Sequence, residues 1–300
     1  MDRDWIIIIV LGFGWGTSFF FNEVLLREMG PLAVSFVRVS MAAAFCWFWL
    51  FATRCNPRVD MAMLPKFAFM GAMMFAIPFA VYPIGQQFVA SGVAVIVNAL
   101  TPVMVVIVSH FWPGGERATL LKSLGVMAGF LGIALLTVRA MSADGPSQVW
   151  GTLLIMLAPV SYAFAMNYVR RLFSINVTVM LAWSFAFAAL FMLPFVVAFE
   201  ELPSALSMQS WGAIIILGCL LTGASFLIAM RILPRAGATK TSTVTFIAPV
   251  SAVLIGYFVL QEELGILHFA GMAAIFLGLL LIDGRLFQRF LSSPTVAEKG

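Results

Sequence analysis

Arg38 is the one ionised side chain that the sequence places well inside a long apolar segment. It stands about seven residues from the start of that segment, or roughly 10 Å at the rise of an α-helix. A charge at such depth is costly, so it usually faces a cavity or a partner. A guanidinium can hold a substrate carboxylate, but it stays charged and cannot shuttle protons. The alternative is that Arg38 extends to the outer headgroups or binds neighbouring carbonyls.

Three aromatic residues in other apolar segments combine a large ring with a polar N–H or O–H group. Trp15 is central in its segment, Tyr162 occupies the equivalent place in the second half of the chain, and Tyr82 lies near a segment end. Such rings can stack on an apolar or cationic solute. The alternative for Trp15 is that it only packs against other helices.

Two prolines lie at matching positions and expose polar backbone inside the membrane. Pro102 and Pro249 lack the N–H that would bond the carbonyls of Asn98 and Thr245. Such carbonyls are tolerated where protein or a water-filled cavity satisfies them, so Asn98 and Thr245 are candidate cavity residues. The predicted helix breaks or hinges are Gly12, Pro102, Pro159 and Pro249. The alternative is that these residues merely kink membrane helices.

The elements that carry these residues are long apolar segments. The chain is 62% hydrophobic and 10% charged, with a mean hydropathy of +1.05, which leaves too little polar surface for a water-soluble domain. Since a span takes roughly 20 apolar residues, the sequence predicts an all-α integral membrane protein with ten transmembrane helices. They are placed at 5–22, 32–53, 64–83, 89–111, 119–138, 149–169, 176–199, 210–230, 241–260 and 265–283.

An internal repeat divides the chain into two halves. The sequence pattern of residues 91–103 recurs at 238–250, and Glu116 corresponds to Glu263. Each half then holds five spans, an odd number, so the second half is inverted in the membrane. We predict a first five-helix repeat at 1–145, a second, inverted repeat at 146–288 and a cytoplasmic tail at 289–300. Inverted repeats are typical of secondary transporters, which bind substrate at the repeat interface.

The basic residues predict the orientation. With the N-terminus inside, fourteen Lys and Arg residues fall in cytoplasmic loops and tails, and two, Arg27 and Arg139, fall outside. This positive-inside bias predicts that both termini are cytoplasmic. Because the basic residues follow the topology, the net charge of +4 indicates no nucleic-acid partner.

The sequence gives no sign of catalysis, a cofactor or a metal site. It contains no phosphate-binding loop, zinc-protease motif or serine-hydrolase motif. His110 and His268 fall near opposite membrane faces, and the spacing of Cys46, Cys55 and Cys219 suggests neither a metal site nor a disulfide framework. No Asp or Glu lies mid-span, so coupling to an ion gradient is not visible.

The chain resembles a known family in several motifs. These are Gly14-Trp15-Gly16-Thr17-Ser18 in the first span, Arg38 early in the second, the Thr101-Pro102 and Ala248-Pro249 pairs, and the acidic residues Glu116 and Glu263. Together with ten spans in two halves, they resemble the EamA-type branch of the drug/metabolite transporter superfamily. The motif in the first span adds Ser18 to the candidate substrate-binding residues.

Finer similarity is to the bacterial aromatic amino acid exporters of that superfamily. The resemblance implies export of amino acids, aromatic ones included, across the bacterial inner (plasma) membrane. It implies no cofactor, and the partners are the substrate and the bilayer, with any partner protein unknown. Export of another small metabolite or drug, a membrane-embedded enzyme and a non-transporting assembly subunit stay as alternatives.

Overall fold

The computed structural model is helical, and its described residues contain no β-strand. It describes residues 3–115, 117–143, 146–172, 174–201, 203–232, 244–259, 261 and 265–283. The main helices are α1 Arg3–Leu26, α2 Pro31–Ala52, α3 Met61–Gln86, α4 Ser91–Phe111, α5 Leu120–Ala143, α6 Ser147–Val169, α7 Val177–Phe199, α8 Met208–Ile232, α9 Val244–Phe258 and α10 Ile266–Asp283.

Length and apolar composition make this a multi-pass membrane protein. Within the described residues, seven helices are long and apolar enough to cross a membrane, namely α1 to α4 and α6 to α8. Shorter apolar helical stretches run over Leu120–Gly132 in α5 and Ile266–Ile282 in α10. The count of ten spans, the two repeats and the position of the termini stay predictions.

Helix packing has the same pattern in the two halves of the chain. α1 packs on α9, and α6, five helices after α1, packs on α4. In the same way α2 packs on α8 and α7 packs on α3, while α2 packs on α7 and α5 on α10. Each packed pair therefore has a counterpart formed by the helices five places away in the chain, or is its own counterpart, as in α2–α7 and α5–α10.

The helix breaks agree only partly with the prolines and glycine singled out in the sequence. α4 is interrupted at Ala99 and Leu100, just before Pro102, and α6 at Met156, before Pro159. α1 runs unbroken past Gly12 and α9 unbroken past Pro249, so the breaks predicted at these two positions are not found. Gly12 instead lets α1 approach Ile247 of α9. A proline removes only one hydrogen bond, and a buried helix can continue past it.

Two unpredicted irregularities lie in α3 and α8. Residues Gly71–Ala76 and Ile216–Ala224 form π-helical turns, a geometry common at functional sites. Each segment brings a glycine against a neighbouring helix: Gly71 meets the backbone of Ser184 in α7, and Gly218 meets the Arg38 carbonyl and Met41 Cβ in α2. The glycines allow backbone contact between the two halves.

Replacing Gly218 by alanine should lower the melting temperature, because the new methyl would overlap Met41. The expected cost is about 1–3 kcal/mol, as for overpacking in a protein core. Gly212→Ala in the same helix is the matched control, since nothing lies within 4 Å of its added Cβ. Thermal unfolding in detergent measures both variants. Equal melting temperatures would contradict the close contact at Gly218.

Two glutamates join the α1–α2 connection to the α7–α8 connection. Both oxygens of Glu200 accept hydrogen bonds at the start of α2, from Leu32 N at 2.8 Å and Ala33 N at 2.7 Å. Glu28 accepts from Ser207 N, at 2.9 Å, at the start of α8. Carboxylates suit these positions because the first N–H groups of a helix lack partners within it. We call Glu28 and Glu200 the carboxylate clamp.

Acidification should weaken the clamp at Glu28. Hydrogen bonds from the side chain and then the backbone of Ser207 lower the pKa of Glu28 below its ordinary value of 4.5. A lowered folded-state pKa stabilises the fold above the ordinary value, and this stability is lost as pH falls through the folded pKa. Between pH 7 and pH 3, wild type should therefore lose more thermal stability than Glu28→Gln. An equal loss in both proteins would contradict a contribution from this carboxylate.

Candidate functional site

A central cavity lies between the two halves of the chain. The space within it amounts to about 830 Å³ when the open solvent at its mouth is included. Helices α1, α2, α3, α4, α6, α8 and α9 all contribute to its wall. The lining residues are Trp15, Ser18, Phe19, Asn22, Arg38, Met74, Phe79, Tyr82, Asn98, Ala99, Thr101, Tyr162, Met166, Phe226, Val244 and Ala248.

Most of the predicted substrate-binding residues lie together in this wall. Six of the seven line the cavity, namely Trp15, Ser18, Arg38, Tyr82, Asn98 and Tyr162. The seventh, Thr245, lies on α9 between two lining residues, Val244 and Ala248, but its side chain lies outside the described part of the structure. Their role in binding stays a prediction.

Arg38 is fixed at the cavity wall by two contacts. Its Nε donates a hydrogen bond to Thr222 Oγ1 at 2.9 Å, and its Cζ lies 3.8 Å from the centre of the Phe79 ring. The Thr222 hydroxyl in turn donates to Leu217 O at 2.7 Å, within the π-helical turn of α8. Arg38 is only 6% exposed. Its side chain faces the cavity and is enclosed by the protein.

The interruption of α4 creates a polar corner beside Arg38 and the aromatic residues of the wall. Pro102 leaves the Asn98 carbonyl without its helical donor, and Thr101 Oγ1 donates to that oxygen at 2.7 Å. The side-chain oxygen of Asn98 accepts a hydrogen bond from the Tyr82 hydroxyl. The proline break therefore places Asn98 at the cavity, with both of its oxygens bonded within the protein.

The aromatic wall is built around Trp15. Its Nε1 donates to Ser225 Oγ at 3.0 Å, and its ring centre lies 5.3 Å from that of Phe226. The indole N–H of Trp15 is thus hydrogen-bonded within the protein, and its ring forms part of the cavity wall. Tyr82 packs edge-on to Phe19 at 5.0 Å. A flat apolar solute would find rings on several sides.

The sequence did not single out Asn22, Phe79, Thr222 or Phe226. Asn22 Nδ2 donates to Gln86 Oε1 at 2.9 Å, while its own Oδ1 is buried without a partner in the described part of the chain. Asn22 and Thr222 are polar residues in apolar segments, and this feature could have identified them from the sequence. The chain has 29 phenylalanines, so no pattern distinguished Phe79 and Phe226.

The charge on the described part of the cavity wall is positive. Arg38 is the only charged residue among the described lining residues. The described residues also contain no group of three His, Cys, Asp or Glu side chains that could hold a metal ion. The arrangement is suited to non-covalent binding of a solute that carries a negative group and an apolar ring.

Comparisons with known proteins cover nearly the whole chain. The EamA-like transporter family matches residues 5–138 and 149–283. The transporter YoaV of Bacillus subtilis is 27% identical over 276 residues, which cover 91% of this chain and 92% of YoaV. The inner membrane transporter YedA of Escherichia coli K12 is 24% identical over 289 residues, which cover 94% of this chain and 91% of YedA. A solved crystal structure shares the fold, with a TM-score of 0.68 and 19% identity over 96% of this chain and 99% of its own.

Replacing Tyr82 by phenylalanine should destabilise the corner at Asn98. The variant loses the hydroxyl donor to the side-chain oxygen of the half-buried Asn98, and the loss of a typical hydrogen bond costs about 1 kcal/mol. Tyr257→Phe is the matched control, because Tyr257 is 56% exposed and lies far along α9. Melting temperatures in detergent provide the comparison. A change as small as that of the control would mean that the Tyr82 hydroxyl adds nothing to stability.

Proposed function

The chain belongs to the EamA-like transporter family, and we propose that it exports amino acids, aromatic ones included, across a bacterial inner membrane. The central cavity is the observation that carries the proposal. Its wall combines the rings of Trp15, Tyr82 and Tyr162 with the guanidinium of Arg38. An aromatic amino acid offers a ring to the first group and a carboxylate to the second. The wall draws on helices from both halves of the chain.

Two observations support an inverted pair of five-helix repeats, at 1–145 and 146–288. The family matches two stretches of similar length, 5–138 and 149–283. The packing pairs α1–α9 and α2–α8 have counterparts in α6–α4 and α7–α3. With five spans in each half, the halves lie in opposite orientations, and the distribution of Lys and Arg puts both termini in the cytoplasm.

Transport proceeds by alternating access in this proposal. The two halves rock around the cavity, and the interruptions of α4 and α6 and the π-helical turns of α3 and α8 are where the helices bend. The carboxylate clamp joins a connection of the first half to one of the second, on the face that the charge distribution puts outside. It is suited to hold that face closed.

The proposed energetics follow from the charges within the spans. Arg38 stays protonated and cannot carry protons, and the sequence has no mid-span Asp or Glu and no nucleotide-binding motif. The solute therefore moves down its own gradient or by exchange.

Purified protein in liposomes should equilibrate radiolabelled phenylalanine faster than protein-free liposomes. An imposed pH gradient should leave the rate nearly unchanged, because no group carries a proton with the solute.

Trp15→Ala should slow transport or change the substrate preference, since it removes a wall of the cavity. Trp150→Ala is the matched control, because Trp150 is 58% exposed and does not line the cavity.

Three results would count against this proposal. Absence of transport for every amino acid tested would remove the function. Concentrative uptake driven by the pH gradient would show a proton carrier. Wild-type rates for every amino acid in Trp15→Ala would leave Trp15 with a packing role only.

A further inference from the structure

The contacts of Arg38 leave one edge of its guanidinium for a ligand. Nε is taken by Thr222, and one face of the group lies on the Phe79 ring. The terminal N–H groups have no hydrogen-bond acceptor among the described residues, and the residue lines the cavity. Two parallel N–H groups on one edge match the two oxygens of a carboxylate. Because the ring contact and the Nε bond fix the orientation, little side-chain freedom is left to lose on binding.

Among the lining residues that the structure describes, none supplies a counter-charge for this guanidinium. No Asp or Glu is among the described lining residues, and the sequence has none in the middle of a predicted span. A buried charge without a partner is costly. A bound anion supplies the missing charge and so gains more in this cavity than it would at an exposed arginine.

The ammonium group of a ligand has no charged partner in the described part of the cavity wall. The polar lining residues described, among them Ser18, Asn98 and Tyr162, are uncharged. The oxygen of Asn98 is engaged by Tyr82, and the unpartnered Oδ1 of Asn22 is fully buried, out of reach of a ligand in this conformation. Aromatic faces attract cations, but Arg38 repels a second positive charge in the same cavity.

We propose that the cavity selects ring-bearing organic carboxylates with a single negative charge over zwitterions and cations that carry the same ring. This inference rests on the proposed function in that it concerns the same cavity, and it names the preferred class of cargo. An amino acid binds by its carboxylate and ring, but it must leave its ammonium without an anionic partner. Its deaminated counterpart binds through the same groups and avoids that cost.

Three compounds with the same ring and different head groups test the preference. 3-Phenylpropionate is an anion, phenylalanine a zwitterion and phenethylamine a cation at pH 7.5. Calorimetric titration of the purified protein in detergent gives their dissociation constants without depending on transport. 3-Phenylpropionate should bind about tenfold more tightly than phenylalanine, as expected for one unsatisfied buried polar group. Phenethylamine should bind more weakly than either.

Variants at the guanidinium and at its anchor connect the preference to the structure. Arg38→Met should abolish the advantage of 3-phenylpropionate over phenethylamine. Thr222→Val keeps the charge but removes the acceptor for Nε, so it should reduce the advantage of 3-phenylpropionate several-fold. Thr222→Val also serves if Arg38→Met fails to fold. Thr53→Val is the matched control, because Thr53 is exposed at the end of α2 and does not line the cavity.

The results separate this inference from the proposed function. Equal or tighter binding of phenylalanine or phenethylamine, or no binding of any of the three, would overturn the preference for anions. An unchanged order of affinities in both the Arg38 and the Thr222 variants would overturn the role of the guanidinium. Failure of the protein to move any of the amino acids tested in liposomes would remove the proposed function, while the order of binding would still test the charge preference.

Discussion

The buried charge of Arg38 is the constraint on which the architecture of the site depends. A guanidinium within the apolar part of a membrane protein is stable only with hydrogen bonds, an aromatic face or water around it. This chain supplies Thr222 from α8 and Phe79 from α3, and it opens a cavity on the remaining side. One helix of the first half, α2, thereby depends on α8 of the second half.

Helix α8 organises the site through its π-helical turn. Thr222 in this turn binds Arg38, and Ser225, directly after it, binds the indole N–H of Trp15. Gly218, near its start, lets the same helix lie against α2. The cation and the central ring of the cavity are thus held by one short segment. A change in the bend of α8 would move both, which links the geometry of binding to the motion of the halves.

Six of the seven candidate residues chosen from the sequence line one cavity, whereas the shape of the helices agrees with the sequence only in part. Trp15, Arg38 and Asn98 are rare polar or aromatic residues in apolar segments, so their chemistry made them visible, and the cavity brings them together. Phe79 and Phe226 were missed because phenylalanine is common throughout the chain. The π-helical turns leave no mark in residue periodicity. The breaks expected at Gly12 and Pro249 are not found, because packing against a neighbouring helix can keep such a segment helical.

The central claim is that a carboxylate cargo lies between Arg38 and the aromatic wall. A crystal structure with 3-(4-bromophenyl)propionate, measured at the bromine absorption edge, tests it most directly. The account predicts an anomalous peak among Trp15, Tyr162 and Phe226, with the carboxylate oxygens about 3 Å from the terminal nitrogens of Arg38. A bromine peak outside the cavity, or a carboxylate directed away from Arg38, would contradict it.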